Sequence, residues 1–182
     1  ARSLTTSNRL LREPTEDYKN AYTALRSAME ALSFNVPAAG KFYRFKGKAS
    51  GKYMSTPLST DAANRVKMRL SDNPNDAGCI FYLTENNKLL SFKLGTFLCD
   101  THDISAIGEN NGNTISFNPS ESETGGYFTL KTDFSGSKYI YDDKNETEVD
   151  RNGSYAANNC EWAIEEVTEL PFTISAVGYG TL

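Results

Sequence analysis

The chain has 182 residues, and its 19 Lys and Arg against 23 Asp and Glu leave a net charge of −4. That length suits one medium domain with an appendage, and the mild acidity argues against a nucleic-acid partner, which selects a basic face. No apolar run approaches the roughly 18 residues of a membrane span, and the single histidine, His102, makes His-based triads and multi-His metal sites hard to build.

Apolar residues make up 38% of the chain, and with the 13 glycines added this is enough for an ordinary core. The opening residues, Ala1 to Glu13, lack the apolar centre of a signal peptide. A sequence that starts at Ala1 and stops at Thr181-Leu182 reads as a piece of something longer.

From the N-terminus, the first predicted element is a helix over Asp17 to Ser33. Tyr18, Tyr22, Leu25, Met29 and Leu32 recur at helical spacing on one face. Thr15 can cap it, Glu16 and Asp17 suit the positive end of the helix dipole, and Asn35 and Pro37 stop it. The apolar stripe is expected to pack on a neighbouring domain, since barely two heptads is short for a coiled coil.

After Pro37 the pattern changes to short aromatic or β-branched runs between Gly, Asn, Asp and Ser clusters. The runs are Phe42–Phe45, Ile80–Leu83, Leu89–Phe92, Thr114–Phe117, Tyr127–Leu130, Tyr139–Tyr141 and Trp162–Ile164. Strands with turn chemistry between them at this spacing predict an all-β sandwich or barrel.

Within that run of strands lies an internal repeat. Gly51-Lys52-Tyr53-Met54, Gly95-Thr96-Phe97-Leu98 and Ser137-Lys138-Tyr139-Ile140 are alike, with their rings 44 and 42 residues apart. Each follows an apolar strand (Tyr43/Phe45, Leu90/Phe92, Phe128/Leu130). Each precedes an alternating apolar pair (Phe81/Leu83, Ile115/Phe117, Trp162/Ile164). Three all-β units of about 42 residues predict a β-trefoil: one four-stranded unit cannot bury its apolar face, and three close a barrel without open edges. Tyr53, Phe97 and Tyr139 are then expected to be buried in matching places. A propeller needs at least four such blades, and a sandwich with chance similarity is the remaining rival. The predicted organisation is a tail and helix over residues 1–37, a trefoil over 38–168, and the opening of a further β domain over 169–182, where Ile174–Gly180 reads as a strand.

From roughly Gly40 to Val167 the chain resembles the ricin-type β-trefoil family. It is also similar to accessory trefoil modules of large secreted or surface proteins of gut bacteria, often found beside glycoside hydrolase domains. The residues that carry this are the helix leading into Gly40–Phe45, the Gly51-Lys52-Tyr53 turn, Val149-Asp150-Arg151-Asn152 and Cys160-Glu161-Trp162. The family marks each closing strand with Gln-x-Trp. Here Cys160 stands where Gln would, and Phe81 and Ile115 replace Trp in the first two units.

The resemblance implies a sugar site built from an Asp after the second strand, an aromatic in the loop, and Asn or Gln before the closing strand. The third unit fits best, with Asp142, Asp143, Tyr155, Asn158 and Asn159 as the carbohydrate-binding set. The second unit offers Asp100 with His102 nearby, and the first only Ser55-Thr56. Asp and Asn also serve simply as turn formers, and that reading stands beside the sugar-binding one. Trp162 alternates with Ile164 and is expected in the core.

Other chemistry is poorly supported. The acidic run Asp142–Asp150 lacks the Gly and Glu of a calcium loop and reads as a solvated loop. Glu165 and Glu166 are adjacent in a strand and point to opposite faces. Gly108–Gly112 is a turn without the Lys-Ser/Thr of a phosphate loop, and Thr101-His102-Asp103 reads as a surface loop. Asn145-Glu146-Thr147 and Asn152-Gly153-Ser154 fit the glycosylation pattern and mark surface loops. Cys79, Cys99 and Cys160 form no CxxC pair and are expected as buried thiols, with a single disulfide as the alternative.

The expected function is therefore a non-catalytic carbohydrate-binding module of a larger extracellular or cell-surface bacterial protein. Its expected partners are a glycan and neighbouring domains of the same chain, with no cofactor, metal, nucleic acid or membrane insertion. The alternatives are a structural spacer without a sugar ligand and, more remotely, a divergent hydrolase.

Overall fold

Strict alternation sets the first strand. In Phe42–Gly47 (β1), Tyr43, Phe45 and Gly47 are buried while Phe42, Arg44 and Lys46 are half-buried, as a period of two on a curved sheet requires. The computed structural model describes residues 16–31, 36–57, 66–100, 104–107, 112–120, 126–133, 136, 138–142 and 149–170. The sequence-based expectations for Thr15, Asn35, His102, Asp143, the turn 108–111, the acidic run 143–148 and the strand 174–180 lie outside the described residues.

The chain divides into two units, 1–35 and 36–182. The first holds one helix, Glu16–Ala31 (α1), with Glu16 and Asp17 in its first turn. Its Tyr18, Tyr22 and Leu25 are exposed. No helix among the described residues is long and apolar enough to cross a membrane.

In the second unit β1 is followed by Tyr53–Ser55 (β2), Val66–Lys67 (β3), Arg69–Ser71 (β4), a 3₁₀ turn Ala77–Cys79 and Phe81–Leu83 (β5). The next repeat comprises Leu89–Ser91 (β6), Phe97–Asp100 (β7), Ile104–Ile107 (β8) and Ile115–Pro119 (β9). The last comprises Tyr127–Thr132 (β10), Tyr139–Asp142 (β11), Val149–Asn152 (β12) and Glu161–Glu166 (β13).

The first and last strands of the repeats form the barrel wall. β1 pairs with β13 from Tyr43↔Glu166 to Gly47↔Trp162, and with β5 through Tyr43↔Phe81. β5 pairs with β6, β13 with β10, and β10 with β9. Ile115 N donates to Asn87 O at 2.8 Å, where β9 comes alongside the start of β6. The middle strands form three hairpins, β2–β4, β7–β8 and β11–β12. These cap one end and touch one another through Val66↔Ala106 and through Val149 N, which donates to Met68 O at 3.2 Å.

The wall and cap enclose Phe45, Met54, Met68, Phe81, Leu83, Leu89, Leu98, Ile115, Leu130, Ile140 and Trp162, all fully buried. Trp162 is a core residue, as its alternation with Ile164 predicts, and its Nε1 donates to Ile140 O at 3.0 Å. The three cysteines are buried free thiols.

The threefold repeat is visible atom by atom. Gly47 N donates to Lys52 O, Ser91 N to Thr96 O and Thr132 N to Lys138 O, at 2.8, 2.8 and 2.9 Å. Each turn has a glycine with left-handed φ at the matching place: Gly51 at +71°, Gly95 at +64° and Gly136 at +89°. Tyr53, Phe97 and Tyr139 occupy matching places too, but they are half-buried rather than buried. The residue after each ring, Met54, Leu98 or Ile140, is the one that enters the core. Each ring is covered by a lysine: Lys46 Nζ lies 5.5 Å from the Tyr53 centroid, Lys88 Nζ 5.9 Å from Phe97, and Lys131 Nζ 4.2 Å from Tyr139. Such contacts are worth about 0.5–1 kcal/mol each at exposed sites.

A carboxylate ties the third unit to the first. Asp142 Oδ2 accepts from Ser50 N at 3.0 Å and Ser50 Oγ at 2.9 Å. A Cβ on Gly47 would overlap that carboxylate outright, whereas one on Gly51 would meet open space. Gly47→Ala should therefore cost about 1–3 kcal/mol through overpacking, and Gly51→Ala about 1–2 kcal/mol through its left-handed φ alone. Urea denaturation measures both, and a neutral Gly47→Ala would contradict this placement of Asp142.

Candidate functional site

A cleft of about 360 Å³ opens on the third repeat, lined by Asn118, Pro119, Ser120, Thr129, Lys131, Tyr139 and Tyr155. Its position follows from strand pairing. β9 and β10 run antiparallel with Thr129↔Asn118 and Lys131↔Ser116, and the β10–β11 hairpin brings Tyr139 opposite Lys131. The loop before β13 supplies Tyr155, whose ring lies 5.8 Å from Tyr139 at an interplanar angle of 56°. Tyr155 is 47% exposed. The Asn118 amide and the Tyr139 hydroxyl have no hydrogen-bond partner among the described residues, and Lys131 has no carboxylate partner among them. The cleft thus offers two aromatic rings, an amide and a hydroxyl without partners among the described residues, and an ammonium held over the Tyr139 ring with no carboxylate partner among them. That set can stack on a ring and pair with several polar groups at once.

Beside the cleft lies a buried ionic network. The Glu161 carboxylate is fully buried and pairs with Lys48. It also accepts from Ser120 Oγ and from Tyr155 Oη, the latter at 2.6 Å. Lys48 Nζ is 4.9 Å from the Tyr127 ring centroid. Burial alone would raise the Glu161 carboxyl, but the hydrogen bonds from Lys48, Ser120 and Tyr155 outweigh it and hold it below the usual carboxylate range. The same bond raises the Tyr155 phenol, with burial adding to it. Glu161 therefore fixes the aromatic wall of the cleft without opening into it.

The residues expected from the sequence divide into two groups. Tyr155 lines the cleft. Asp142 is fully buried and faces the turn at Ser50. Asn159 Nδ2 donates to Asp142 O at 2.6 Å, and Asp142 N donates to Asn159 O at 2.7 Å, so these two clamp the loop that carries Tyr155. Asn158 is exposed with a φ of +67°, a conformation that asparagine tolerates. Sequence reasoning did not place Asn118, Lys131, Tyr139, Glu161 or Lys48 at a site.

An internal comparison explains why the cleft opens here. The crossing Thr129↔Asn118 corresponds to Arg44↔Glu165 in the first repeat, two long charged side chains. There Tyr53 Oη donates to Glu165 Oε1 at 3.2 Å, whereas the equivalent Tyr139 hydroxyl has no such partner among the described residues. In the second repeat Lys88 stands where Thr129 does, and it reaches over Phe97.

No protein-family model and no curated protein sequence matches the chain. Solved structures do. A ricin B-like lectin from Macrolepiota procera, in complex with lactose, is 12% identical with a TM-score of 0.57, the match covering 71% of this chain and 97% of that one. The β-trefoil BEL is 16% identical with a TM-score of 0.58, covering 73% and 97%. The exo-β-1,3-galactanase 1,3Gal43A from Clostridium thermocellum is 18% identical with a TM-score of 0.54, covering 70% of this chain and 30% of that larger one. The fold is thus a β-trefoil.

The network gives a prediction with a definite sign. Lys48→Met leaves a buried carboxylate without its cation and should cost toward the lower end of roughly 3–5 kcal/mol, read by urea denaturation at neutral pH. Because the folded Glu161 carboxyl is held low, its contribution is present above the unfolded carboxylate range and is lost as pH falls through the lowered value. Glu161→Gln should flatten that part of the acid limb of the stability–pH curve. An unchanged acid limb would contradict the assignment.

Proposed function

We propose that this chain is a non-catalytic carbohydrate-binding module of a larger extracellular or cell-surface protein, with the glycan seated in the third-repeat cleft. The observation that carries the reading is the Tyr139–Tyr155 pair set beside the Asn118 amide and Tyr139 hydroxyl, which have no hydrogen-bond partner among the described residues, and the Lys131 ammonium, which has no carboxylate partner among them. A sugar ring presents an apolar face to an aromatic and its hydroxyls to amide and charged groups, and this set matches both needs. The lectin-like fold supports the reading, as does the lactose named with the Macrolepiota procera structure.

Tyr155 contacts the sugar in this proposal. Asp142 and Asn159 act as positioning residues that hold its loop, Asn158 is available at the surface beside it, and Asp143 belongs to the set on the strength of the family resemblance. The parent protein is proposed to be a glycoside hydrolase. Support comes from a galactanase in which a trefoil match fills only 30% of the enzyme chain. Weak affinity at one cleft suffices in such a protein, since tethering supplies effective concentration.

A second reading, a spacer that positions its neighbours without a sugar ligand, draws on the exposed Tyr18, Tyr22 and Leu25 of α1. A longer chain in which that stripe is buried against an adjoining domain, with no glycan bound, would favour it.

The test is a glycan array with the unmutated chain, Tyr155→Ala and Asp142→Ala. We expect the unmutated chain to retain a defined glycan set. Tyr155→Ala should weaken retention about tenfold or more, the worth of one stacking ring, and lower the melting temperature modestly, because the buried Glu161 loses one of its donors. Asp142→Ala should lower the melting temperature as well, because it frees the Ser50 turn. No retention by the unmutated chain would contradict the proposal.

A further inference from the structure

We propose that the cleft selects an acidic glycan whose carboxylate or sulfate group pairs with Lys131, an inference that rests on the cleft being the glycan site. Among the described residues, Lys131 is the only charged side chain that lines it. Its ammonium stands 4.2 Å from the Tyr139 centroid and meets no carboxylate among the described residues. Glu161, the acid beside the cleft among the described residues, is fully buried and taken up by Lys48. On a chain of net charge −4, the cleft therefore holds a cation that no carboxylate among the described residues compensates.

The internal repeat sharpens the point. In the first repeat the equivalent lysine, Lys46, also covers its ring. Across the strand from β1, Glu165 and Glu166 stand at the registers that Asn118 and Pro119 hold across from β10. The third repeat keeps the lysine and replaces both acids. A neutral sugar covering Lys131 would strip water from an ammonium and offer no counter-charge, which is unfavourable. An anionic group replaces that water with a charge-assisted hydrogen bond. Lysine is a compact point charge, so it accepts a planar carboxylate or a tetrahedral sulfate alike.

The experiment is isothermal titration of the full 182-residue chain with matched probes: lactose, 3′-sialyllactose and 6′-sulfolactose. At least one acidic probe should bind about tenfold tighter than lactose, the scale of one charge-assisted bond. That preference should shrink as NaCl rises from about 0.05 M to about 0.5 M. It should survive in Lys131→Arg and fall to near parity in Lys131→Gln. Binding of the sialylated probe alone assigns a carboxylate, of the sulfated probe alone a sulfate, and of both a site that reads charge only; each supports the proposal. Equal binding of lactose and both acidic probes overturns it while leaving the cleft a glycan site, and so does a preference that persists in Lys131→Gln. Absence of acidic-probe binding also overturns it. Binding that is unaffected by Tyr155→Ala would instead remove the cleft assignment on which it stands.

Discussion

The structure depends on closure. A unit of four short strands has one apolar face and nowhere to bury it, so each repeat is stable only as a third of a barrel. Closure fixes which side of every strand is interior: Met54, Leu98 and Ile140 point in, each directly after the ring that follows a turn with a left-handed glycine. The period of two then forces Tyr53, Phe97 and Tyr139 toward the outer face, where each takes a lysine as cover. Interior positions are constrained by a shared core, while outer positions are released from it.

That release is where the repeats diverge. Position by position, the same crossing between a first strand and the closing strand of the preceding repeat carries Arg44 with Glu165, Lys88 with Thr84 (whose N donates to Lys88 O at 2.9 Å), or Thr129 with Asn118. The last pair is short and uncharged, and a cleft opens where it occurs. The network of Glu161, Lys48, Ser120 and Tyr155 then keeps the far wall upright. A buried ionic group of this kind adds little net stability compared with an apolar replacement, but it specifies one position for the aromatic ring. Tyr155 is therefore held by the interior although its face is exposed.

Much of this was legible in the sequence. The spacing of the Gly/Ser-x-Tyr/Phe segments gave the repeat, and the alternating pairs ending in Trp162/Ile164 gave the closing strands, because both signals are local and periodic. The direction of Asp142 was also available. Strand alternation puts it on the same side as Ile140, two residues before it, and that side is the core. Reading it as a turn acid hid this. The partner of that carboxylate, the Ser50 turn, lies 92 residues away, and Asn118 meets Thr129 only through a register between repeats. No local pattern encodes either pairing, but aligning the three repeats with one another would have exposed the loss of Arg44 and Glu165 in the third. Glu161 was obscured by its neighbour: both it and Trp162 are buried at the start of β13, against simple alternation.

The most direct measurement of the threefold arrangement is by NMR on the labelled chain, observing the lysine ε-methylenes and the aromatic rings. Nuclear Overhauser contacts should join Lys46 to Tyr53, Lys88 to Phe97 and Lys131 to Tyr139, with each methylene shifted upfield by its ring. Tyr139→Leu should return only the Lys131 signals to their unshifted positions. Lysine methylenes at ordinary shifts without contacts to these rings would contradict the common placement on which the fold and the cleft both rest.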